Sequence, residues 1–238
     1  MKAKTIEQAS ENRRNFLRSV ASTLGCGLIG CATAASARGG QAETTHGDHD
    51  EAEVTPGEDL MQEHGVLERI LLVYDEAVRR IDQSEAFDLS VVTSAAGIVR
   101  RFVEDYHEKL EEQFVFPRLE AARQQAELVT ILRRQHERGR QLTDDIVQLA
   151  SAGPSPQLAQ LIRNFERMYR PHAAREDTVL FPAFRGVVGR AAYRELGEQF
   201  EEQEHARFGK QGFENAVLEV ARLEATLGIG DLARFTTP

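Results

Sequence analysis

The stretch HEKLEEQFVFP, which begins at His107, returns in outline as HAAREDTVLFP at His172. The equivalent positions are His107/His172, Glu111/Glu176, Glu112/Asp177, Val115/Leu180, Phe116/Phe181 and Pro117/Pro182. In each copy a Glu follows the His by four residues. On a helix that spacing sets both side chains on one face, about 6 Å apart along the axis. Each copy therefore brings an imidazole nitrogen and a carboxylate oxygen to one place, and two copies in one small domain describe a site for two metal ions.

Composition narrows what such a site can be. The chain has 238 residues and a formal charge of −9, which argues against nucleic acid as a partner. Its only cysteines, Cys26 and Cys31, lie near the N-terminus. A disulfide framework is excluded, and so is a thiolate site for zinc or an iron–sulfur cluster in the folded part.

The N-terminus reads as an export signal over residues 1–37. Asn12-Arg13-Arg14-Asn15-Phe16-Leu17-Arg18 precedes a weakly apolar stretch from Val20 to Ile29, too short to span a bilayer. It resembles the twin-arginine translocation motif, which implies the twin-arginine translocase as export partner and a cargo that folds, and takes up metal, before export. The alternative is a chance Arg-Arg pair ahead of an ordinary signal. Two processing routes stay open: lipid attachment at Cys31 in Leu28-Ile29-Gly30-Cys31, or cleavage after Ala35-Ser36-Ala37. The second is preferred, giving a soluble periplasmic or exported product rather than a membrane-anchored lipoprotein. Residues 38–57 read as a flexible, polar linker, with His46 and His49 in a solvated tract.

From residue 58 to 230 the pattern is helical. Leu60, His64, Leu67, Leu71, Tyr74, Val78 and Ile81 form one seam. A second helix, from about Leu89 to Phe116, buries Val99, Val103, Tyr106, Leu110 and Phe114, with His107 and Glu111 at the edge of the stripe; Pro117 is expected to bend or end it. A third carries Val129, Leu132, His136, Gly139, Ile146 and Leu149. After the turn Gly153-Pro154-Ser155-Pro156, a fourth carries Leu158, Leu161, Phe165, Met168, His172, Glu176 and Val179, with a kink expected at Pro171. One or two further helices follow, broken near Gly209 or Gly212. The expected fold is all-α: an antiparallel four-helix bundle with a C-terminal helical extension. Each half supplies two His and one Glu.

A lone His on a seam is ordinarily a hydrogen-bonded core residue. An unpaired carboxylate in an apolar interior costs several kcal/mol, and two of them without Lys or Arg on the same stripe call for a cation. Imidazole with carboxylate suits iron, manganese or zinc; iron is preferred because such bundle sites suit dioxygen chemistry.

From about Glu58 to Phe184 the chain resembles the hemerythrin-like (HHE cation-binding) proteins. The residues that carry the resemblance are His64 in QEHG, His107 and Glu111 in HEKLE, His136 in RQHE, and His172 and Glu176 in HAARE. The resemblance implies two iron ions bridged by carboxylates and an oxo or hydroxo group. The chain departs from the oxygen carriers of that family in two places. Residue 140, four after His136, is Arg rather than His, and the acid assigned to the motif after His172 is Glu176, four on, where the carriers use an Asp five on. Among hemerythrin-like domains with His-Glu-x-x-Glu the missing ligand is a Glu, which makes Glu108 a seventh candidate; its alternative is an exposed helix-surface residue.

Two kinds of function fit. One is a binding protein for dioxygen or another small diatomic or peroxide ligand, with Gly139 leaving room for it. The other is a di-iron enzyme that reduces peroxide or nitric oxide or oxidises a small substrate; metal storage is a third, weaker reading. Glu204 and His205 are candidates to close over the site from the fifth helix.

Overall fold

Thr55 opens the fold with a reciprocal cap. Its hydroxyl accepts from the Glu58 N–H, and the Glu58 carboxylate accepts from the Thr55 N–H, ahead of Pro56 at the first helical position. In the computed structural model, which describes residues 54–236, every regular element among the described residues is helical. Helix α1 is Pro56–Asp82. Helix α2 (residues 90–121) begins as Ser90–Ile98, passes through π-helical turns at Val99–His107 and Glu111–Val115, and ends as Phe116–Ala121. Helix α3 is Ala126–Ala152. Helix α4 (residues 156–187) runs as Pro156–Arg175, a π-helical turn at Glu176–Leu180, and Phe181–Val187. Helices α5 (Arg190–Phe208) and α6 (Gly212–Leu227) follow. The described residues from Thr55 onward belong to one compact unit.

Helix α1 packs on α2 and α4, and α3 packs on the same two, so the four long helices enclose one core. Both ends of the linking turns are set by local chemistry. Gly153, at φ 115°, ends α3, and Ser155 caps α4 with Pro156 behind it. Helices α5 and α6 lie against α1, and α6 also against α2. Arg69 of α1 forks onto Glu224 of α6 at 2.8 and 2.6 Å, and the Gly57 N–H donates to the Tyr193 hydroxyl at 3.0 Å. A Cβ on Gly57 would stand 2.7 Å from that hydroxyl, so this contact requires glycine.

The π-helical turns explain how two prolines fit within helices expected to stop or bend there. Proline has no N–H and its ring collides with the carbonyl four residues back. In both copies of the repeat a wide turn starts at the Glu and ends just before Phe-Pro, which moves the local hydrogen bonding one residue further back. Helix α2 therefore continues past Pro117 to Ala121 and α4 past Pro182 to Val187, while Pro171 lies inside the α-helical first segment of α4, which runs on to Arg175. The C-terminal break falls between Phe208 and Gly212. No helix among the described residues is long and apolar enough to cross a membrane. The twin-arginine motif, Cys31, the linker histidines His46 and His49 and the cleavage sites all lie outside the described residues.

The core below the histidines is aromatic. Phe165 is fully buried between Tyr74 and Tyr169, with ring centroids at 5.6 and 4.4 Å. Phe165→Ala should lower the unfolding free energy by about 3–5 kcal/mol through lost burial and an unfilled cavity. Urea denaturation followed by circular dichroism checks it, and a loss below about 1 kcal/mol would mean that the core collapses around the gap.

Candidate metal centre

Six of the side chains singled out in the sequence meet at one level of the core: His64 from α1, His107 and Glu111 from α2, His136 from α3, and His172 and Glu176 from α4. All six are buried, Glu111, His136 and Glu176 completely. Their donor atoms fall into two overlapping clusters, His64 with His107 and Glu111, and His136 with His172, Glu111 and Glu176. Glu111 belongs to both.

Each imidazole is turned by a partner on its outer nitrogen. His64 Nδ1 lies 2.7 Å from Asp177, His107 Nδ1 2.8 Å from Glu63, His136 Nδ1 3.1 Å from Glu112, and His172 Nδ1 2.9 Å from the Gln135 side-chain oxygen. An ionised carboxylate only accepts, so Nδ1 carries the proton and Nε2 presents a lone pair. The four Nε2 atoms face inward. His64 and His172 stand 3.4 and 3.1 Å from Glu176, and His136 and His107 3.4 and 3.8 Å from Glu111.

The inward side of the cradle thus sets acceptors against acceptors. Among the described residues, both oxygens of Glu111, both of Glu176, and Nε2 of His107 and His136 are buried without a hydrogen-bond partner. Leaving so many acceptors unsatisfied in a dry interior is strongly unfavourable. A cation between them relieves all of these contacts at once, and nitrogen with oxygen donors and no thiolate fits a first-row transition metal.

The protonation pattern says the same. Burial pushes the Glu111 carboxyl well up, and the neighbouring Glu176 adds to it. Burial would raise Glu176 too, but His172 and His64 more than offset it and hold that carboxyl well below the usual range. Burial drives His107 down to about 3, with the His64 charge adding to it, and drives His136 down to about 4 despite Glu112. His64 goes the other way: burial would lower it, but Asp177 and Glu176 raise it to about 9. Without metal, a proton on His64 supplies part of the missing positive charge.

Glu108 is buried, which removes the exposed-surface alternative, and it groups with Glu112 on the outer Nδ1 side of His136, 4.0 Å from that nitrogen, rather than with the inward-facing donors. Its Oε1 accepts from the Tyr169 hydroxyl at 2.8 Å and its Oε2 from Arg140 at 2.7 Å. Arg140 also reaches Glu112 at 2.6 Å, so residue 140 serves here as a clamp on two carboxylates. Burial lifts the Glu108 carboxyl to about 8, against the pull of Arg140 and Tyr169. The room expected at Gly139 is taken: a Cβ there would lie 2.0 Å from the Tyr169 hydroxyl, so glycine makes space for a tyrosine of this same chain. Glu204 turns away from the six to accept from the Phe213 N–H at 2.7 Å, capping the start of α6, and neither it nor His205 enters a metal-competent cluster.

Sequence reasoning missed the partners of the imidazoles. Two of them were nonetheless visible as the repeat pair Glu112/Asp177, and the other two, Glu63 and Gln135, each directly precede a lone His. Tyr169 was missed because the fourth helix was given Leu161 and Met168 as inner positions. Both are only partly buried, and the inner register is Leu158, Ile162, Phe165, Tyr169 and His172.

Comparison with known proteins agrees with this centre. The family described as Hemerythrin HHE cation binding domain matches residues 55–184. Uncharacterized proteins of Mycobacterium bovis and Mycobacterium tuberculosis are 41% identical over 239 residues, covering 98% of this chain and 94% of theirs. No solved structure matches the chain.

A metal ion must displace the His64 proton, which gives the pH dependence a sign. The His64 pKa is raised from 6.5 to about 9. Its contribution to the stability of the metal-free fold is therefore complete below pH 6.5 and lost as pH rises through about 9. Metal uptake at pH 7 should release protons, and apparent affinity should rise between pH 6.5 and 9. Calorimetric titration with Mn2+ in two buffers of different ionisation enthalpy measures the release; uptake without it would contradict the assigned protonation.

Proposed function

The chain belongs to the hemerythrin HHE cation-binding family, and from that premise we propose that it is an exported non-haem di-iron protein that binds dioxygen or a related small ligand. The observation that carries the reading is the inward-facing set of unsatisfied acceptors, both oxygens of two carboxylates and Nε2 of His107 and His136, with one carboxylate common to both donor clusters. Two ions, one held by each cluster with Glu111 common to both, would match that arrangement better than one. In this reading the four helices form an antiparallel bundle around the centre. Iron is preferred over manganese and zinc for its redox chemistry with dioxygen, and an oxo or hydroxo bridge would complete the charge balance.

When bound, the metal pair supplies an electron source and open positions for a small ligand. The chain's own side chains do the rest. Asp177, Glu63, Glu112 and Gln135 hold the imidazoles in one tautomer and orientation, which strengthens them as ligands. Phe116 and Phe181, stacked 5.4 and 5.7 Å from His136 and His64, keep water from the ring faces. Glu108 is proposed as a ligand to the ion of the His136/His172 cluster, reached by exchanging its contact with Arg140 for the metal.

A second reading, reduction of peroxide or nitric oxide, is favoured by the carboxylate-rich surroundings, which stabilise higher oxidation states better than imidazole does. Reversible loss of an oxygen adduct under vacuum marks a carrier, and turnover of peroxide marks an enzyme.

The purified protein should hold about two iron ions per chain, and Glu111→Ala with Glu176→Ala should hold none. Metal analysis of both proteins checks this; a single ion per chain, or iron retained in the double variant, would sink the dinuclear reading. Glu108→Ala should hold one ion tightly and one weakly, whereas two tight ions would leave Glu108 only its contacts with Tyr169 and Arg140. Export is tested separately. Arg13→Lys with Arg14→Lys should leave the protein in the cytoplasm, and continued export would point to the general secretory route.

A further inference from the structure

The two halves of the repeat are related position by position, which makes their differences informative. His107 corresponds to His172 and His64 to His136. By the same offsets Glu108 corresponds to Ala173, Tyr169 to Glu104, Arg140 to Glu68 and Gly139 to Leu67. Building the cradle does not require a tyrosine three residues before a ligand His, since the other half does without one. Yet one half places there a phenol, its acceptor, a clamp on that acceptor and the glycine that makes room.

We propose that Tyr169 is a redox-active side chain that donates one electron to a peroxide-class oxidant reduced at the metal centre. The proposal rests on the di-iron reading above. The Tyr169 ring lies edge-on to His172 with centroids 5.4 Å apart, so an electron has one packed contact to cross. Its hydroxyl donates to Glu108 Oε1 at 2.8 Å, and Arg140 fixes the other oxygen of that carboxylate. Loss of an electron from a phenol requires loss of its proton, and the ionised form of Glu108, which the Arg140 contact favours and which prevails above about pH 8, accepts from that hydroxyl and can take it. Tyr169 and Glu108 are each 1% exposed, so the oxidised ring is shielded from solvent.

The balance closes with one metal electron and one protein electron. Peroxide needs two electrons and two protons to break its O–O bond and become two waters. One electron comes from a ferrous ion, which becomes ferric, and one from Tyr169, which becomes a neutral phenoxyl radical. Two protons come from solvent, and the phenol proton passes to Glu108. Tyr169 thereby lets a half-oxidised metal pair complete the reduction without leaving a one-electron product of peroxide.

Tyr74 provides an internal control. It is equally buried and lies beyond Phe165, but its hydroxyl has no hydrogen-bond partner among the described residues. Without an acceptor for the proton, it should not be oxidised.

The test uses the full chain loaded with Fe2+ without oxygen, with iron content measured first. It is partly oxidised to one ferric ion per pair, mixed with one equivalent of hydrogen peroxide and frozen within milliseconds for electron paramagnetic resonance. The expected result is an organic radical whose hyperfine pattern narrows when the protein carries ring-deuterated tyrosine. It should persist in Tyr74→Phe and fall at least tenfold in Tyr169→Phe at unchanged iron content. A wild-type protein with two irons and no tyrosyl signal, or a signal undiminished in Tyr169→Phe, overturns the proposal and leaves the di-iron reading standing. Failure of the wild type to hold two irons overturns both. Should Tyr169→Phe lose iron, 3-fluorotyrosine in the wild type and peptide mapping of the oxidised ring decide: oxidation mapped to Tyr169 supports the proposal, and oxidation mapped elsewhere overturns it.

Discussion

The fold is organised around a charge that the chain does not itself supply in full. Glu111 and Glu176 are completely buried, and their four oxygens find no hydrogen-bond donor among the described residues. An all-helical core could have dispensed with them, because apolar side chains of similar volume pack without that cost. Their presence makes sense only with a cation between them. The placement of the surrounding polar groups follows from this: the imidazoles lend lone pairs inward, and their outer nitrogens are held by side chains that keep those lone pairs aimed.

The same requirement shapes the backbone. A pair of residues four apart can address one point only if the helix keeps its local pitch, whereas Phe-Pro close behind would ordinarily force a break. In both copies the wide turn that begins at the Glu absorbs the proline and lets the helix go on. Phe116 and Phe181, the residues before those prolines, then lie against His136 and His64, each on a helix from the other half of the repeat. One short motif thus places an inward-facing imidazole, a buried acid and an apolar wall.

The helical fold and the six side chains that cluster in its core were legible in the sequence because both depend on spacing. Helical seams, turn residues and a His-x-x-x-Glu repeat are one-dimensional patterns, and the burial of Leu60, Leu67, Leu71 and Tyr74 follows the seam as written. What was not legible depends on which helices meet. Nothing in RQHE tells that Gln135 will orient His172 or that Glu112 will orient His136, because those contacts cross between helices. The reading of Gly139 as room for a ligand had the geometry right and the occupant wrong: the space exists, and Tyr169 fills it. Arg140, the departure from the oxygen carriers, likewise took on meaning only once Glu108 and Glu112 were seen on either side of it.

Duplication and divergence divide the work between them. Residues kept in both halves, two His, a Glu and the acid after it, build a cradle that treats its two clusters almost alike. Residues that differ make the clusters unequal. A guanidinium and an ammonium, Arg140 and Lys109, both bond Glu112, and their counterparts in the other half are Glu68 and Ala174. His172 is held by a neutral amide, where its counterpart His107 is held by a carboxylate. The His136/His172 side is therefore poorer in electrons, and it is also the side that carries the tyrosine. An electron-poor position draws electrons from its surroundings, so a donor is most useful beside it. Were the two sides equal, a single tyrosine on one of them would have no electrostatic reason to be there.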